Sequence, residues 1–192
     1  AGRSSRFRGP KLLADLDGEP LIRRSAERLL RAVLPVHCDV AADGQAIAES
    51  LRGIPGIEIG ICAEDALGMG HRLAHGVSAT AEADAWLVAL ADMPGIAPGT
   101  ISDLAVALRG GTSLVAPTHQ GRRGHPVGFG RAWLDALRSL RGDVGARKLI
   151  EGALDRLTLI PVDDPGILWD VDIPEDLHGP PAVVRAWPGA NG

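Results

Sequence analysis

Short apolar runs alternate with stretches of helical periodicity along this chain, and that alternation limits the folds open to it. Ala85–Leu90 is nearly all apolar, the pattern of a strand buried on both faces of a parallel sheet. Further strands are expected at 36–42, 57–62, 113–117, 126–130 and 156–162. Between them, residues 21–33 place Leu21, Ser25, Leu29, Leu30 and Val33 on one helical face. Helices are also expected at 46–51, from the Gly68–Arg72 stretch to about 80, and at 98–109, 131–139 and 145–153. Strand–helix alternation of this kind predicts a three-layer α/β/α, Rossmann-like domain around a mostly parallel, mixed sheet. The chain opens directly into a loop, so a first strand is expected upstream of the numbered residues. Residues 1–178 are read as a single domain, and the Pro- and Gly-rich stretch 179–192 as a loose tail.

Composition removes several functions. A net charge of −4 argues against a general nucleic-acid binder. Aromatic residues make up 3% of the chain and Tyr is missing, which leaves little for stacking bases. No apolar run approaches the roughly 20 residues that cross a bilayer, so no membrane partner is expected. Cys38 and Cys62 lack metal-cage spacing and read as free thiols, which with no visible signal peptide suits the cytoplasm.

An anion site must therefore be local, and the first eleven residues supply a candidate. Ala1-Gly2-Arg3-Ser4-Ser5-Arg6-Phe7-Arg8-Gly9-Pro10-Lys11 joins small, flexible residues to three Arg and a closing Lys. Such a loop can turn backbone N–H groups inward around an anion. Arg6 as a planar fork and Lys11 as a point charge can approach the same oxygens. The chain has only two Lys, Lys11 and Lys148, and one of them closes this loop. A disordered Arg-rich terminus is the competing reading. The loop matches neither the Walker A nor the dinucleotide-binding glycine pattern.

Two acidic points follow strands. Asp92, in Leu90-Ala91-Asp92-Met93-Pro94, stands where open α/β sheets bind ligands and could hold a hard divalent cation, or cap a turn before Pro94. In Trp169-Asp170-Val171-Asp172-Ile173-Pro174, Asp170 and Asp172 point to one side if the segment is extended. One carboxylate from each segment would suit Mg²⁺, which takes few protein carboxylates and completes its shell with phosphate and water. Helix capping by Asp172 ahead of Pro174 is the alternative. Gly124-His125-Pro126 is a third loop, whose His could meet an anionic ligand or satisfy a turn carbonyl. No nucleophile elbow is present.

The motifs resemble those of the MobA-like nucleotidyltransferases. Ala1–Lys11 is similar to their A-G-x-S-x-R-[MF]-G-x-x-K loop, with one residue extra or a shifted glycine. Asp92-Met93-Pro94 is similar to their D-M-P and Gly124-His125-Pro126 to their G-H-P. The stretch from Asp170 to Asp176 resembles their D-[IV]-D-x-P-[ED]-D. The order and spacing cover the chain to about residue 178. The G-H-P loop and the Ala1 start point to the molybdenum cofactor cytidylyltransferase branch. The resemblance implies transfer of CMP from CTP to molybdopterin with release of pyrophosphate, and a molybdoenzyme as possible recipient of the product. It places Ala1, Gly2, Arg3, Ser4, Ser5, Arg6, Lys11 and Gly68 around the nucleotide. Arg6, Lys11 and Asp92 would carry catalysis, Asp92 and Asp172 Mg²⁺, and Gly124, His125 and Pro126 the acceptor side. Gly68-Met69-Gly70-His71-Arg72-Leu73 departs from the family's G-M-S-x-S-L, adding charge and bulk near the pocket. Another small phosphate acceptor, or a non-catalytic escort of nucleotide or cofactor, are the rival functions.

Overall fold

The first helix shows how the pattern becomes architecture. In the computed structural model, which describes Phe7 and residues 9–33, 35–63 and 68–179, α1 spans Leu21–Leu30. It buries Leu21, Ile22, Ser25 and Ala26, the stripe one helical face presents to a neighbour. Ahead of it, β1 (Asp15–Leu16) and β2 (Glu19–Pro20) pair antiparallel across the Asp17-Gly18 turn. Then follow β3 (Val36–Ala41), α2 (Gln45–Leu51), β4 (Ile57–Cys62), α3 (Met69–Ala79), β5 (Ala85–Val88) and α4 (Pro98–Arg109). The second half holds β6 (Leu114–His119), β7 (Arg122–Arg123), β8 (Val127–Gly130), α5 (Leu134–Arg138), α6 (Arg147–Glu151) and β9 (Thr158–Pro161).

β3 and β4 pair in parallel from Val36↔Ile57 to Ala41↔Cys62. A second sheet runs β5-β8-β6-β9, with β7 on the far end of β6. In it β5, β6 and β9 share one direction and β8 runs against them. Ile22, Ala26 and Leu51 pack with Cys38, Ile57 and Ile59, placing α1 and α2 on one face; Ile101 of α4 joins a cluster that includes Leu29 of α1. Val77, Leu137 and Ile150, from α3, α5 and α6, close on Trp86, Leu114 and Phe129 from the other face. The three layers expected from alternation are therefore present, around a mixed sheet.

One strand differs from its sequence reading. β5 stops at Val88, pairs antiparallel with β8, and has Trp86 buried with its other residues half-buried. β8 inserts between β5 and β6, so the apolar run is not flanked by parallel neighbours. Leu90 instead packs on Met93, Ile96 and Ile101 beneath the loop that carries Asp92. Cys38 and Cys62 are free, and burial, with Asp39 adding to it, pushes the Cys38 thiol up to about 11. No helix of the described residues is long and apolar enough to cross a membrane.

Candidate active site

Three chain segments far apart in sequence meet at Lys11. Its side chain is 8% exposed, and Nζ donates to Asp92 Oδ2 at 2.7 Å and to Asp172 Oδ1 at 3.4 Å. Burial pulls the Lys11 pKa down, but the hydrogen bond and charge of Asp92, then of Asp172, outweigh it and leave the pKa raised. The ammonium thus stays charged where it stands. Asp92 reaches the site because β5 ends at Val88 and the chain turns out at its carboxyl end.

The segment carrying Asp172 is bound to the Asp92 loop along its length. Val171 N donates to the Asp92 carbonyl at 3.0 Å. Asp164 is buried; its Oδ2 accepts from Ala97 N at 2.8 Å and Thr100 Oγ1 at 2.7 Å, and its Oδ1 from Gly166 N at 2.9 Å. Gly166 lies so close to Gly95 that a Cβ would strike the Gly95 carbonyl. Asp164 therefore satisfies the start of α4, and Asp92 is left free of that duty.

Asp172 does not cap the helical turn Pro174–His178, as the alternative reading had it. Asp176 does, accepting from Asp172 N at 2.9 Å and Ile173 N at 3.0 Å, while the Asp172 carboxylate turns to Lys11. Both caps were missed in the sequence. Asp164 followed by Pro165 is a cap signature that could have been read. Asp176 sits inside its turn and reaches back to two preceding N–H groups, a role that motif order does not disclose.

Asp170 stands beside this pair. Burial, then the Asp172 charge, raises its carboxyl pKa. Two hard carboxylates, Asp92 and Asp172, already drawn around one cationic group suit Mg²⁺ or Mn²⁺, which take few protein carboxylates. Among the described residues no three His, Cys, Asp or Glu side chains stand ready as a cage. Any such ion would need ligand phosphate or water oxygens to complete its shell.

The hydrogen bonds of Lys11 Nζ among the described residues go to Asp92 and Asp172, and the other described candidates stand elsewhere. His125 N donates to the Ile167 carbonyl at 3.0 Å, Gly124 N donates to Pro117 at 2.9 Å, and the His125–Pro126 bond is cis. Burial, then Arg123, lowers the His125 pKa against the opposing pull of Asp92 and a hydrogen bond to the Val88 backbone. The imidazole is neutral near pH 7, and its buried Nδ1 has no hydrogen-bond partner among the described residues. Gly68, with φ +108°, precedes α3, where Gly70 N donates to Gly142 at 2.7 Å. Ala1, Gly2, Arg3, Ser4, Ser5 and Arg6 lie outside the described residues, as does 180–192 of the tail.

Comparison with known proteins matches residues 1–158 to the MobA-like NTP transferase domain. Nicotine blue oxidoreductase of Paenarthrobacter nicotinovorans is 31% identical over 188 residues, covering 93% of this chain and 91% of the relative. The 3-deoxy-manno-octulosonate cytidylyltransferase of Chlorobium phaeobacteroides is 37% identical over 113 residues, 56% of this chain and 44% of that protein. In fold, the crystal structure of Rv0371c from Mycobacterium tuberculosis in complex with manganese superposes with a TM-score of 0.74 at 20% identity, covering 88% of this chain and 89% of that one. With the domain matched over most of its length, the chain belongs to the MobA-like NTP transferase family and is a nucleotidyltransferase.

Proposed function

We propose that this protein transfers CMP from CTP to a molybdopterin-type acceptor, releasing pyrophosphate. The observation that carries the reading is the buried Lys11 ammonium held between Asp92 and Asp172. A triphosphate needs a fixed cation beside carboxylates that can share a metal with it, and these residues supply both. Lys11 would place its charge against the triphosphate, with Arg6 and the backbone of Ala1–Ser5 around the same phosphates and Gly68 beside the nucleotide. Asp92 and Asp172 would hold Mg²⁺, which when bound neutralises charge on the phosphoryl oxygens and the leaving group.

An acceptor phosphate oxygen forms the new bond to the α-phosphorus as the bridging bond to the β-phosphate breaks, and pyrophosphate departs. A phosphate monoester is already nucleophilic near neutral pH, so the protein need not supply a strong base. Gly124, His125 and Pro126 would line the acceptor side. A neutral His125, its N–H given to the Val88 backbone, would shape that side without adding a charge that would quench the nucleophile. A molybdoenzyme would then receive the product.

A second reading keeps CTP and changes the acceptor to a sugar acid; the partial match to a cytidylyltransferase favours it. The test is pyrophosphate release with Mg²⁺, comparing CTP, GTP and ATP, each with molybdopterin or with 3-deoxy-manno-octulosonate. Turnover with CTP and molybdopterin is expected. Turnover only with the sugar acid selects the second reading, and CTP binding without any pyrophosphate release selects an escort role.

A further inference from the structure

A cavity of about 380 Å³ opens between the end of β4, one side of α3 and the end of α5. Neither Lys11, Asp92 nor Asp172 lines it. Among the described residues, its Arg and His side chains are His71, His75, Arg138 and Arg141, no Asp or Glu lines it, and Cys62 and the Ser78 hydroxyl complete its polar lining. In a chain of net charge −4 this is a local reversal of sign, and a concave surface concentrates its effect.

The lining is held in place from behind. His75 Nδ1 lies 2.8 Å from Asp39 Oδ1, so Nε2 is the nitrogen left for a ligand, and it donates to an oxyanion when the ring carries both protons. Asp39 is 12% exposed, beside His37 at 3.4 Å, and fits there because Gly60 and Gly76 carry no side chain where its carboxylate lies. Arg141 Nη1 donates to the carbonyls of Arg138 at 2.9 Å and Leu140 at 2.7 Å, which sets its guanidinium plane and leaves other N–H groups unused by those bonds. Gly142 N donates to His71 Nδ1 at 3.2 Å and ties the Arg141 turn to α3.

We propose that this cavity is a second binding site, for a phosphate-type oxyanion held by His75, Arg138 and Arg141. Planar guanidinium forks match tetrahedral oxyanions, and a His fixed through one nitrogen presents the other at a defined angle. The phosphate could belong to a separate small ligand or to a remote group of a substrate seated at Lys11. The proposal uses none of the residues of the reading above and survives its failure.

The probe is inorganic phosphate, titrated at low ionic strength into the whole chain while the ring protons of His71 and His75 are followed by NMR. Saturable shifts at His75 are expected. Arg138→Gln, at an exposed position, should weaken the phosphate Kd about tenfold through loss of one charge-assisted contact. Arg138→Gln with Arg141→Gln should abolish saturation while far-ultraviolet circular dichroism stays unchanged. Lys11→Met should leave the His75 titration as in the wild type. Non-saturating shifts, or equal affinity in wild type and Arg138→Gln, would overturn the proposal. Competition by CTP with Mg²⁺ at His75 would assign the phosphate to the substrate, and additive binding would assign it to a separate ligand.

Discussion

Lys11 is the residue at which charge and burial are most tightly opposed. Nearly enclosed, it keeps its proton because two carboxylates face it, and it keeps those carboxylates from repelling one another. Lys11→Met leaves Asp92, itself only 20% exposed, without its cation. The expected loss is about 2–3 kcal/mol in urea unfolding, together with at least a hundredfold loss in turnover. Adding Mg²⁺ should restore stability in Lys11→Met more than it raises that of the wild type, since the ion takes the place the ammonium leaves. Unfolding curves that coincide with and without the substitution would contradict the electrostatic account.

At the scale of elements, the site is made by the joint between the start of α4 and the segment after β9. Asp164 is the centre of that joint, with three donors on its two oxygens and none of them in the site itself. Asp164→Ala strands the Ala97 and Gly166 amides and the Thr100 hydroxyl, at an expected cost of about 2–4 kcal/mol. It also frees the Asp92 loop, so kcat should fall in an enzyme that is still folded; unchanged kcat alongside lost stability would separate the joint from the site. This joint was hardly legible in the sequence. Asp92, Asp172 and Lys11 stood out because each falls in a motif, and the strand–helix alternation fixed their places at one end of the sheet. What motifs could not give was mutual contact. That Lys11 would turn to two carboxylates, that Asp176 rather than Asp172 would cap its turn, and that β8 would lie antiparallel beside β5 all depend on pairings between distant segments. Local periodicity carries no record of such pairings. The Asp39–His37–His75 cluster escaped for the same reason, since β3 and α3 supply its members separately.

The whole molecule registers these local arrangements in how its stability depends on pH. His125 is held neutral: burial foremost, then Arg123, lowers its pKa below the ordinary value of 6.5. Below about pH 6.5 the unfolded chain binds a proton at this position that the folded chain refuses. Stability must therefore rise with pH through the window that ends near 6.5 and be fully present above it. Asp170 acts with the opposite sign, because its raised pKa lets the folded chain hold a proton just above 3.8 that the unfolded chain releases. That window lies lower, so the two effects separate on a single titration. The melting temperature should climb from about pH 5 and level near pH 7. In His125→Asn the climb should be shallower, with the acid limb below about pH 4.5 unchanged. Parallel curves for wild type and His125→Asn would show that the neutral imidazole does not set the window.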